Sequence, residues 1–323
     1  MPKYLIVLRK STNDFNSIEN IFGVLTPFLS VKSVVLPFES VGVTNRVKNI
    51  LFVLRQRTAQ IHITGHDHYL LCYPFRRSIL TIHDIEALKR KKGLKRWIFK
   101  KLWFDLPIKN AKLVTTISQF SKAELLSIKQ YQTPIKVISN PLTLSIEFRS
   151  KKFNSVSPRI LHIGVKENKN LPRLIEALST ITCTLVIIGK PSKEISSLLS
   201  IHCIQHEVKI NISQQEIIAE YYSCDVLAFV STYEGFGLPI IEAQAAGRVV
   251  LTSNVASMPE VAGHGALLVD PFSINEIKEG ILEIINDAEL RESLIAQGLA
   301  NVKRFDPSKI ANLYKDLYNS IEK

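Results

Sequence analysis

The sequence contains few cysteines and lacks a long apolar run. Its four cysteines, Cys72, Cys183, Cys203 and Cys224, are widely spaced and form neither a metal-ligand pattern nor a dense disulfide framework. We therefore expect them to be reduced and buried. No stretch of about 18 uninterrupted apolar residues is present, so no membrane-spanning helix is predicted. The apolar run at residues 4–8 is too short for a signal peptide and predicts a first buried strand, which favours a cytoplasmic protein.

Repeats of fixed period and low-complexity tracts are also absent, which argues against a solenoid and a disordered chain. The hydrophobic fraction of 46% and the charged fraction of 22% are typical of a soluble globular enzyme. A length of 323 residues suits two domains of about 150 residues each.

Positive charge is concentrated in the first half of the chain. Residues 1–150 contain 24 Lys and Arg against 9 Asp and Glu, a net charge of +15. The remaining residues contain 17 against 20, a net charge of −3. This asymmetry predicts that the two halves meet different partners, and that the partner of the first half is anionic.

Short apolar strands alternate with helix-period segments, a pattern typical of parallel sheets covered by helices. A polar, turn-rich stretch at residues 150–158 predicts a linker. We expect two doubly wound α/β domains, at residues 1–150 and 151–305, and a last helix at 306–323 that packs back on the first domain. Ligands should bind at the carboxyl ends of the strands, in a cleft between the domains. The predicted strands are residues 4–8, 33–36, 61–64, 79–81, 113–116, 135–137, 159–163, 184–188, 201–204, 226–229, 249–252 and 266–269.

The most informative stretch is residues 231–247, which follows an apolar strand. Its glycines permit a tight turn, and Pro239 suits the first position of the next helix. Backbone N–H groups at such a helix start attract phosphate. Glu234 in the turn and Glu242 in the helix can reach polar groups on either side of that phosphate. The alternative is a structural turn with two solvated carboxylates.

This stretch resembles the signature of family 4 glycosyltransferases, in which two glutamates eight apart flank a Gly-Phe-Gly turn. The resemblance covers essentially all of residues 158–323. It implies a GT-B fold, with two Rossmann-like domains facing each other across a cleft, and sugar transfer from a nucleotide-diphosphate sugar with retention of configuration. No metal or other cofactor is expected, and the sequence has no Asp-x-Asp motif. Further matching pieces lie at residues 161–164, 169–171, 221–225, 257–263 and 269–271.

The resemblance implies roles for individual residues of the second half. Glu234 would contact hydroxyls of the donor sugar, Glu242 the ribose and Lys169 the diphosphate. A fixed ammonium group and helix N–H groups can stabilise a departing nucleoside diphosphate without a metal. The family usually has an arginine where this sequence has Asn168, and Lys166 either replaces that charge or is an exposed turn lysine. The other donor-binding candidates are Gly164, Phe236, Gly237 and Leu238.

The first half carries the predicted acceptor side. Residues 79–84 resemble a family strand that ends in a His-Asp pair, so His83 is predicted to hydrogen-bond the transferred sugar or to orient the acceptor. A buried structural histidine is the alternative. Ser118 is a weaker candidate, because its position also suits a helix cap. The other acceptor-side candidates are Asp84 and, in an early loop without the family's paired glycines, Arg9 and Ser17.

Three further histidines, His62, His66 and His68, lie close together in the sequence. They have no neighbouring cysteine or carboxylate cluster, so we expect histidines that line the cleft and no zinc site.

The segment from Leu88 to Phe104 combines eight basic residues with apolar ones that include two tryptophans. At helical spacing it predicts an aromatic stripe flanked by cations, which suits the surface of an anionic membrane. The alternative is a helix that packs this stripe on its own domain and leaves a solvated basic face.

Together these features predict a retaining, metal-independent hexosyltransferase that glycosylates a glycan or a lipid-linked acceptor in polysaccharide or lipopolysaccharide synthesis. It would act in the cytoplasm, at the inner face of the membrane. A basic nucleic-acid-binding module is one alternative, although no recognition motif for nucleic acid is present. A sugar-nucleotide 2-epimerase of the same fold is another, and it would need no acceptor.

Overall fold

The computed structural model of this chain describes residues 4–10, 17–29, 31–56, 60–74 and 78–322. The chain forms two compact units. The N-terminal unit comprises Met1–Thr143 and Asp306–Lys323, and the C-terminal unit comprises Leu144–Phe305.

The division between the units falls before residue 144, whereas the linker was predicted at residues 150–158. The reason is that this polar stretch is tied to the C-terminal unit. The buried carboxylate of Asp225 forms an ion pair with Lys151 and accepts hydrogen bonds from the backbone N–H groups of Asn154 and Arg159. Turn-rich composition therefore identified an irregular segment, but this segment does not separate the units.

The N-terminal unit contains a parallel six-stranded sheet in the order β2-β1-β3-β4-β5-β6. Its strands are β1 (Tyr4–Leu8), β2 (Lys32–Val35), β3 (Gln60–Ile63), β4 (Ser78–Ile82), β5 (Leu113–Thr116) and β6 (Ile135–Val137). Its first helices are α1 (Ser17–Leu25), α2 (Val43–Leu54), α3 (Glu86–Lys89), α4 (Gly93–Lys100), α5 (Leu106–Asn110) and α6 (Gln119–Ile128). A π-helical turn, Lys101–Asp105, joins α4 to α5.

The C-terminal unit contains a second parallel six-stranded sheet, in the order β12-β11-β10-β7-β8-β9. Its strands are β7 (Arg159–Ile163), β8 (Thr184–Ile188), β9 (His206–Lys209), β10 (Val226–Phe229), β11 (Val249–Ser253) and β12 (Leu267–Val269). Its helices are α7 (Leu171–Leu178), α8 (Lys193–Ile201), α9 (Gln214–Ser223), α10 (Leu238–Ala245), α11 (Met258–Ala262), α12 (Ile274–Asn286) and α13 (Ala288–Val302).

The last helix, α14 (Pro307–Glu322), belongs to the N-terminal unit. The Tyr4 hydroxyl of β1 donates a hydrogen bond of 2.9 Å to the Tyr318 carbonyl oxygen, and the two rings stack at 4.3 Å. The Tyr318 hydroxyl lies 2.9 Å from Nδ1 of the buried His62. Residues from both ends of the chain therefore share one core.

Burial explains why the strands were recognisable in the sequence. Every residue of β4, β10 and β11 is buried, because helices cover both faces of a parallel sheet. Each fully buried aliphatic side chain contributes about 1.5–3 kcal/mol of stabilisation relative to an exposed one. The prediction of two doubly wound α/β domains is confirmed.

Two predictions about this fold were wrong. The apolar run at 201–204 is not a strand, because Ile201 ends α8 with 71% of its surface exposed and the next strand is β9. All four cysteines were expected to be buried, but Cys203 is exposed and Cys72 is only partly buried, while Cys183 and Cys224 are buried. No helix in the described part of the chain is long and apolar enough to cross a membrane.

Candidate active site

The predicted donor-binding residues follow two neighbouring strands of the C-terminal sheet. Read from β9, the strand order is the third, second, first, fourth, fifth and sixth strand of the unit, so the order reverses between β7 and β10. A doubly wound sheet binds its ligand at such a switch point, beyond the carboxyl ends of the strands. Gly164 and Lys169 follow β7, and Glu234 and Gly237 follow β10.

The central contact of this site joins Lys169 and Glu234. The Lys169 ammonium nitrogen lies 2.6 Å from Glu234 Oε1, and the two side chains are only 18% and 16% exposed. Asn168 donates from Nδ2 to the same Oε1 at 3.2 Å and to the Tyr233 carbonyl oxygen at 2.9 Å. The Lys169 ammonium also lies 4.6 Å from the centre of the Phe229 ring. The folded loop therefore holds the positive and the negative group of the predicted site together.

Gly164 makes room for the lysine. Its φ is +93°, and a Cβ atom at this position would lie 2.9 Å from Lys169 Cε. Residues that carry a side chain rarely adopt this backbone conformation, and a Cβ atom at position 164 would not fit beside the Lys169 side chain. Glycine at this turn is thus needed both for the chain reversal and for the approach of Lys169.

The turn before α10 presents backbone N–H groups. Gly237 precedes the helix with φ at +103°, Pro239 lies in the first turn, and no side chain of the described residues forms a capping hydrogen bond at this helix start. The Ser257 hydroxyl fixes the turn by bonding the carbonyl oxygens of Glu234 at 2.9 Å and Phe236 at 2.8 Å. Phe236 is buried, and its ring meets that of Phe305 at 5.6 Å. The Phe236 side chain is thus an anchor for the turn, and the first amides of α10, including that of Leu238, are available to a phosphate.

Glu242, the second signature glutamate, lies inside α10 and is only 7% exposed. Its Oε2 accepts a hydrogen bond of 2.6 Å from the hydroxyl of the fully buried Tyr221. Burial, together with the nearby Glu242 charge, raises the pKa of Tyr221 well above its ordinary value. Tyr221 therefore remains a donor to this carboxylate, a role that the sequence pattern did not indicate.

Lys166 and Asn168 occupy different places in the loop after β7. Lys166 is exposed, and its ammonium group forms no ion pair within the part of the chain that the structure describes. Asn168, which stands where the family has an arginine, reaches Glu234 instead. The loop thus places an amide rather than a second cation against the signature glutamate.

His83 lies at the carboxyl end of β4 and is almost fully buried. Its Nε2 atom is 2.8 Å from the Thr64 carbonyl oxygen, which can only accept, so Nε2 carries the proton and Nδ1 is an acceptor. Burial and the neighbouring His66 lower the pKa of His83 to about 4. The ring is therefore neutral near pH 7 and offers Nδ1 to a hydroxyl group.

Two pockets in the N-terminal unit contain predicted acceptor-side residues. One, of about 320 Å³, is lined by Arg9, Lys10 and Arg46, and the other, of about 370 Å³, by Asp84, Glu86 and Arg90. Both share His66, Phe99 and Trp103. Asp84 Oδ1 also accepts the backbone N–H of Glu86 at 2.9 Å.

The remaining acceptor-side candidates are distributed differently. Ser118 is buried and caps α6, since its hydroxyl accepts the backbone N–H of Ser121 at 3.0 Å. Ser17 begins α1, but its side chain lies outside the described residues.

The three clustered histidines do not share one environment. His62 is fully buried between the Tyr318 and Thr81 hydroxyls, which corrects the expectation that it lines a cleft. His68 is also buried, with Nδ1 2.8 Å from the Trp103 carbonyl oxygen, whereas His66 is exposed. Among the described residues no group of three or more His, Cys, Asp or Glu could hold a metal ion.

Comparison with known structures identifies the fold. The crystal structure of HepE from Anabaena in complex with UDP and glucose superimposes with a TM-score of 0.81, covers 98% of this chain and 99% of its own, and is 17% identical. WaaG, a glycosyltransferase involved in lipopolysaccharide biosynthesis, gives a TM-score of 0.71 at 13% identity, with 98% and 99% coverage. The chain thus has the two Rossmann-like units of GT-B glycosyltransferases.

Sequence comparison identifies a family for the C-terminal unit. The family described as glycosyl transferases group 1 matches residues 145–300, nearly the whole C-terminal unit. The O-antigen chain mannosyltransferase B of Escherichia coli is 27% identical over 287 residues, which cover 79% of this chain and 74% of that protein. The C-terminal unit belongs to the glycosyl transferases group 1 family, and the protein is a glycosyltransferase.

Proposed function

We propose that this glycosyltransferase transfers a hexose, with mannose as the first candidate, from a nucleotide-diphosphate sugar to a hydroxyl of a glycan or lipid-linked acceptor. The product would be a cell-surface polysaccharide or lipopolysaccharide, and the configuration at the transferred carbon would be retained. The pairing of Lys169 with Glu234, beside the uncapped start of α10, carries this proposal. The similarity to an O-antigen chain mannosyltransferase supports the sugar and the product class.

The donor site is the switch point of the C-terminal sheet. Lys169 and the first amides of α10 bind the diphosphate, because both offer positive charge to an anion at fixed positions. Glu234, freed from part of its ion pair when Lys169 turns to the phosphates, accepts hydrogen bonds from hydroxyls of the sugar. Glu242, positioned by Tyr221, accepts from the ribose hydroxyls.

Transfer proceeds on the front face of the donor sugar. The bond between C1 and the phosphate oxygen breaks, the acceptor oxygen bonds C1 on the same face, and the departing phosphate takes the acceptor proton. Lys169 and the helix amides stabilise the charge that accumulates on the leaving diphosphate, so we propose that no metal takes part.

The acceptor side is the N-terminal unit. Arg9, Lys10 and Arg46 line one pocket and suit an acceptor that carries phosphate or other anionic groups. Neutral His83 offers Nδ1 to a hydroxyl group and so orients the acceptor or the transferred sugar. Unpaired cysteines are typical of a cytoplasmic enzyme, and we place the reaction there.

The test is a transfer assay with the purified full chain. GDP-mannose, UDP-glucose, ADP-glucose and TDP-glucose are first ranked by thermal shift, since a bound donor stabilises the folded state. The stabilising donor is then incubated with lipid-linked and free glycan acceptors, and the anomeric configuration of the product is read by NMR. An inverted product would exclude the retaining mechanism. Conversion of the donor to its epimer without an acceptor, or no turnover of any donor, would exclude sugar transfer.

A further inference from the structure

The segment from Leu88 to Phe104 has two apolar faces, and among the described residues only one of them is packed against the rest of the chain. Phe104 is 2% exposed, and Phe99 and Trp103 stack on each other at 4.8 Å against the core of the N-terminal unit. On α4, by contrast, Leu94, Trp97 and Ile98 are 71%, 63% and 43% exposed. These three side chains follow the spacing of one helical face. We call them the α4 stripe.

The apolar face that packs on the core of the N-terminal unit keeps the α4 stripe directed away from that core. The Trp103 indole N–H donates to the His66 carbonyl oxygen at 3.0 Å, and the Arg46 guanidinium lies 4.7 Å from the centre of the Trp103 ring. Because these contacts fix the turn that follows α4, the helix cannot roll to bury its second apolar face without breaking them. Exposure of the α4 stripe is therefore built into the fold.

Seven of the eight cations of the segment fall into two groups, and the eighth, Lys91, lies 4.7 Å from the centre of the Phe99 ring. Lys89, Arg90 and Lys100 form ion pairs with Glu124, Glu86 and Asp105, respectively. Four other basic residues are exposed and form no ion pair in the described ranges of the chain, namely Lys92, Lys95, Arg96 and Lys101. Glu86, Asp105 and Glu124 are thus already occupied, and positive charge remains around the α4 stripe.

We propose that α4 docks on an anionic lipid bilayer. Leu94, Trp97 and Ile98 enter the boundary between headgroups and acyl chains, where tryptophan is favoured, and the four unpaired cations bind acidic headgroups. Charge selects this partner, because a second copy of the chain would present the same cations and be repelled. A bilayer provides an apolar layer for the α4 stripe and a negative surface for the cations around it.

The geometry also connects this surface with the acceptor pockets. Phe99 and Trp103 pack behind α4 and line both pockets of the N-terminal unit. A docked α4 therefore brings these pockets to the membrane surface, within reach of a lipid-linked substrate. Docking itself does not depend on the sugar that the enzyme transfers.

The experiment measures binding of the full chain to vesicles of equal parts phosphatidylglycerol and phosphatidylcholine by flotation. Wild type should bind these vesicles and not pure phosphatidylcholine. Trp97→Ser should weaken binding at least tenfold, and the double variant Lys95→Gln with Arg96→Gln by about 30-fold at low salt, since each basic residue near the surface contributes about fivefold. Ile201→Ser is the matched control, because it removes an apolar residue of similar exposure, 71% against 63% for Trp97, in the C-terminal unit and should bind as wild type.

Three results would overturn the proposal. The first is that wild type does not bind the anionic vesicles. The second is that Trp97→Ser binds them as strongly as wild type does, and the third is that wild type binds neutral and anionic vesicles equally. Light scattering after size exclusion tests whether a second copy of the chain covers the α4 stripe instead. A wild-type dimer that Trp97→Ser converts to a monomer would assign the α4 stripe to self-association. Circular dichroism of each variant confirms that weakened binding does not result from unfolding.

Discussion

The ammonium nitrogen of Lys169 lies 2.6 Å from a carboxylate oxygen of Glu234, although the two residues are 65 positions apart in the sequence. Both are less than one fifth exposed, so their interaction is only partly screened by water. In the proposed function, an arriving diphosphate competes with Glu234 for this lysine, and the carboxylate then becomes available to the sugar. The ion pair would thereby link phosphate binding to sugar binding.

Lys169→Ala and Glu234→Ala should each reduce transfer at least 100-fold, about the loss seen when one preorganised charge-stabilising group is removed. Each single variant leaves the other charge without its partner, so each should also unfold more easily than wild type. The double variant should regain stability but not activity, which separates the two roles. Steady-state kinetics and urea unfolding measure both effects. Lys193→Ala, at an exposed lysine of α8, is the control, and wild-type turnover in either single variant would contradict the assignment.

Gly164→Ala should weaken donor binding roughly tenfold, because the new Cβ would displace the Lys169 side chain from a contact worth about 1.5–3 kcal/mol. Calorimetric titration with the donor measures the loss. Gly42→Ala is the matched control, since Gly42 also has a positive φ, at +76°, but open space around its Cβ position. Equal donor affinity of the two variants would show that Gly164 serves only the turn.

Tyr221→Phe should raise the KM for the donor roughly tenfold and affect kcat less. The substitution removes the hydrogen bond that positions the nearly buried Glu242, and a bond to a charged group contributes about 1.5–3 kcal/mol. Tyr222→Phe is the control, because the Tyr222 hydroxyl bonds the backbone of Glu147 instead. If both variants have the same KM, Glu242 does not depend on Tyr221.

His62→Gln should change how stability depends on pH. Burial, and secondarily the nearby His83, lowers the pKa of His62 to about 3, far below the ordinary value of 6.5 in an unfolded chain. The neutral ring thus stabilises the fold fully above pH 6.5, and this contribution is lost as pH falls toward 3, by up to about 1.4 kcal/mol per pH unit. Glutamine does not titrate, so the stability difference between wild type and variant should shrink on acidification. Urea unfolding at pH 7.5, 6 and 5 measures it, and a constant difference would be the contrary result.

The strands were predictable wherever both of their faces are buried. β1, β8 and β10 have the predicted bounds, because a nearly continuous apolar run marks a strand covered on two sides. β9 was missed because this strand at the edge of the sheet has the sequence His-Glu-Val-Lys, with a single apolar residue. Pairing with β8, which no local pattern reports, makes it a strand.

The main residues of the candidate site were predictable, whereas the residues that hold them in position were not. Glycines, proline and the two glutamates indicated the turn and the helix that follow β10, and strand order then brought Lys169 beside Glu234. The roles of Tyr221 and Ser257 depend on contacts with distant parts of the chain. Their residue types carry no signal for such contacts, although both lie within segments that resemble the family.

The contribution of α14 to the first sheet has a consequence for synthesis on the ribosome. Tyr4 is translated more than 300 residues before Tyr318, whose carbonyl oxygen and ring it contacts. The C-terminal unit is complete in the nascent chain before the N-terminal one, which reverses the usual order in which domains mature. Until translation reaches α14, the core around His62 and Phe22 remains open to chaperones.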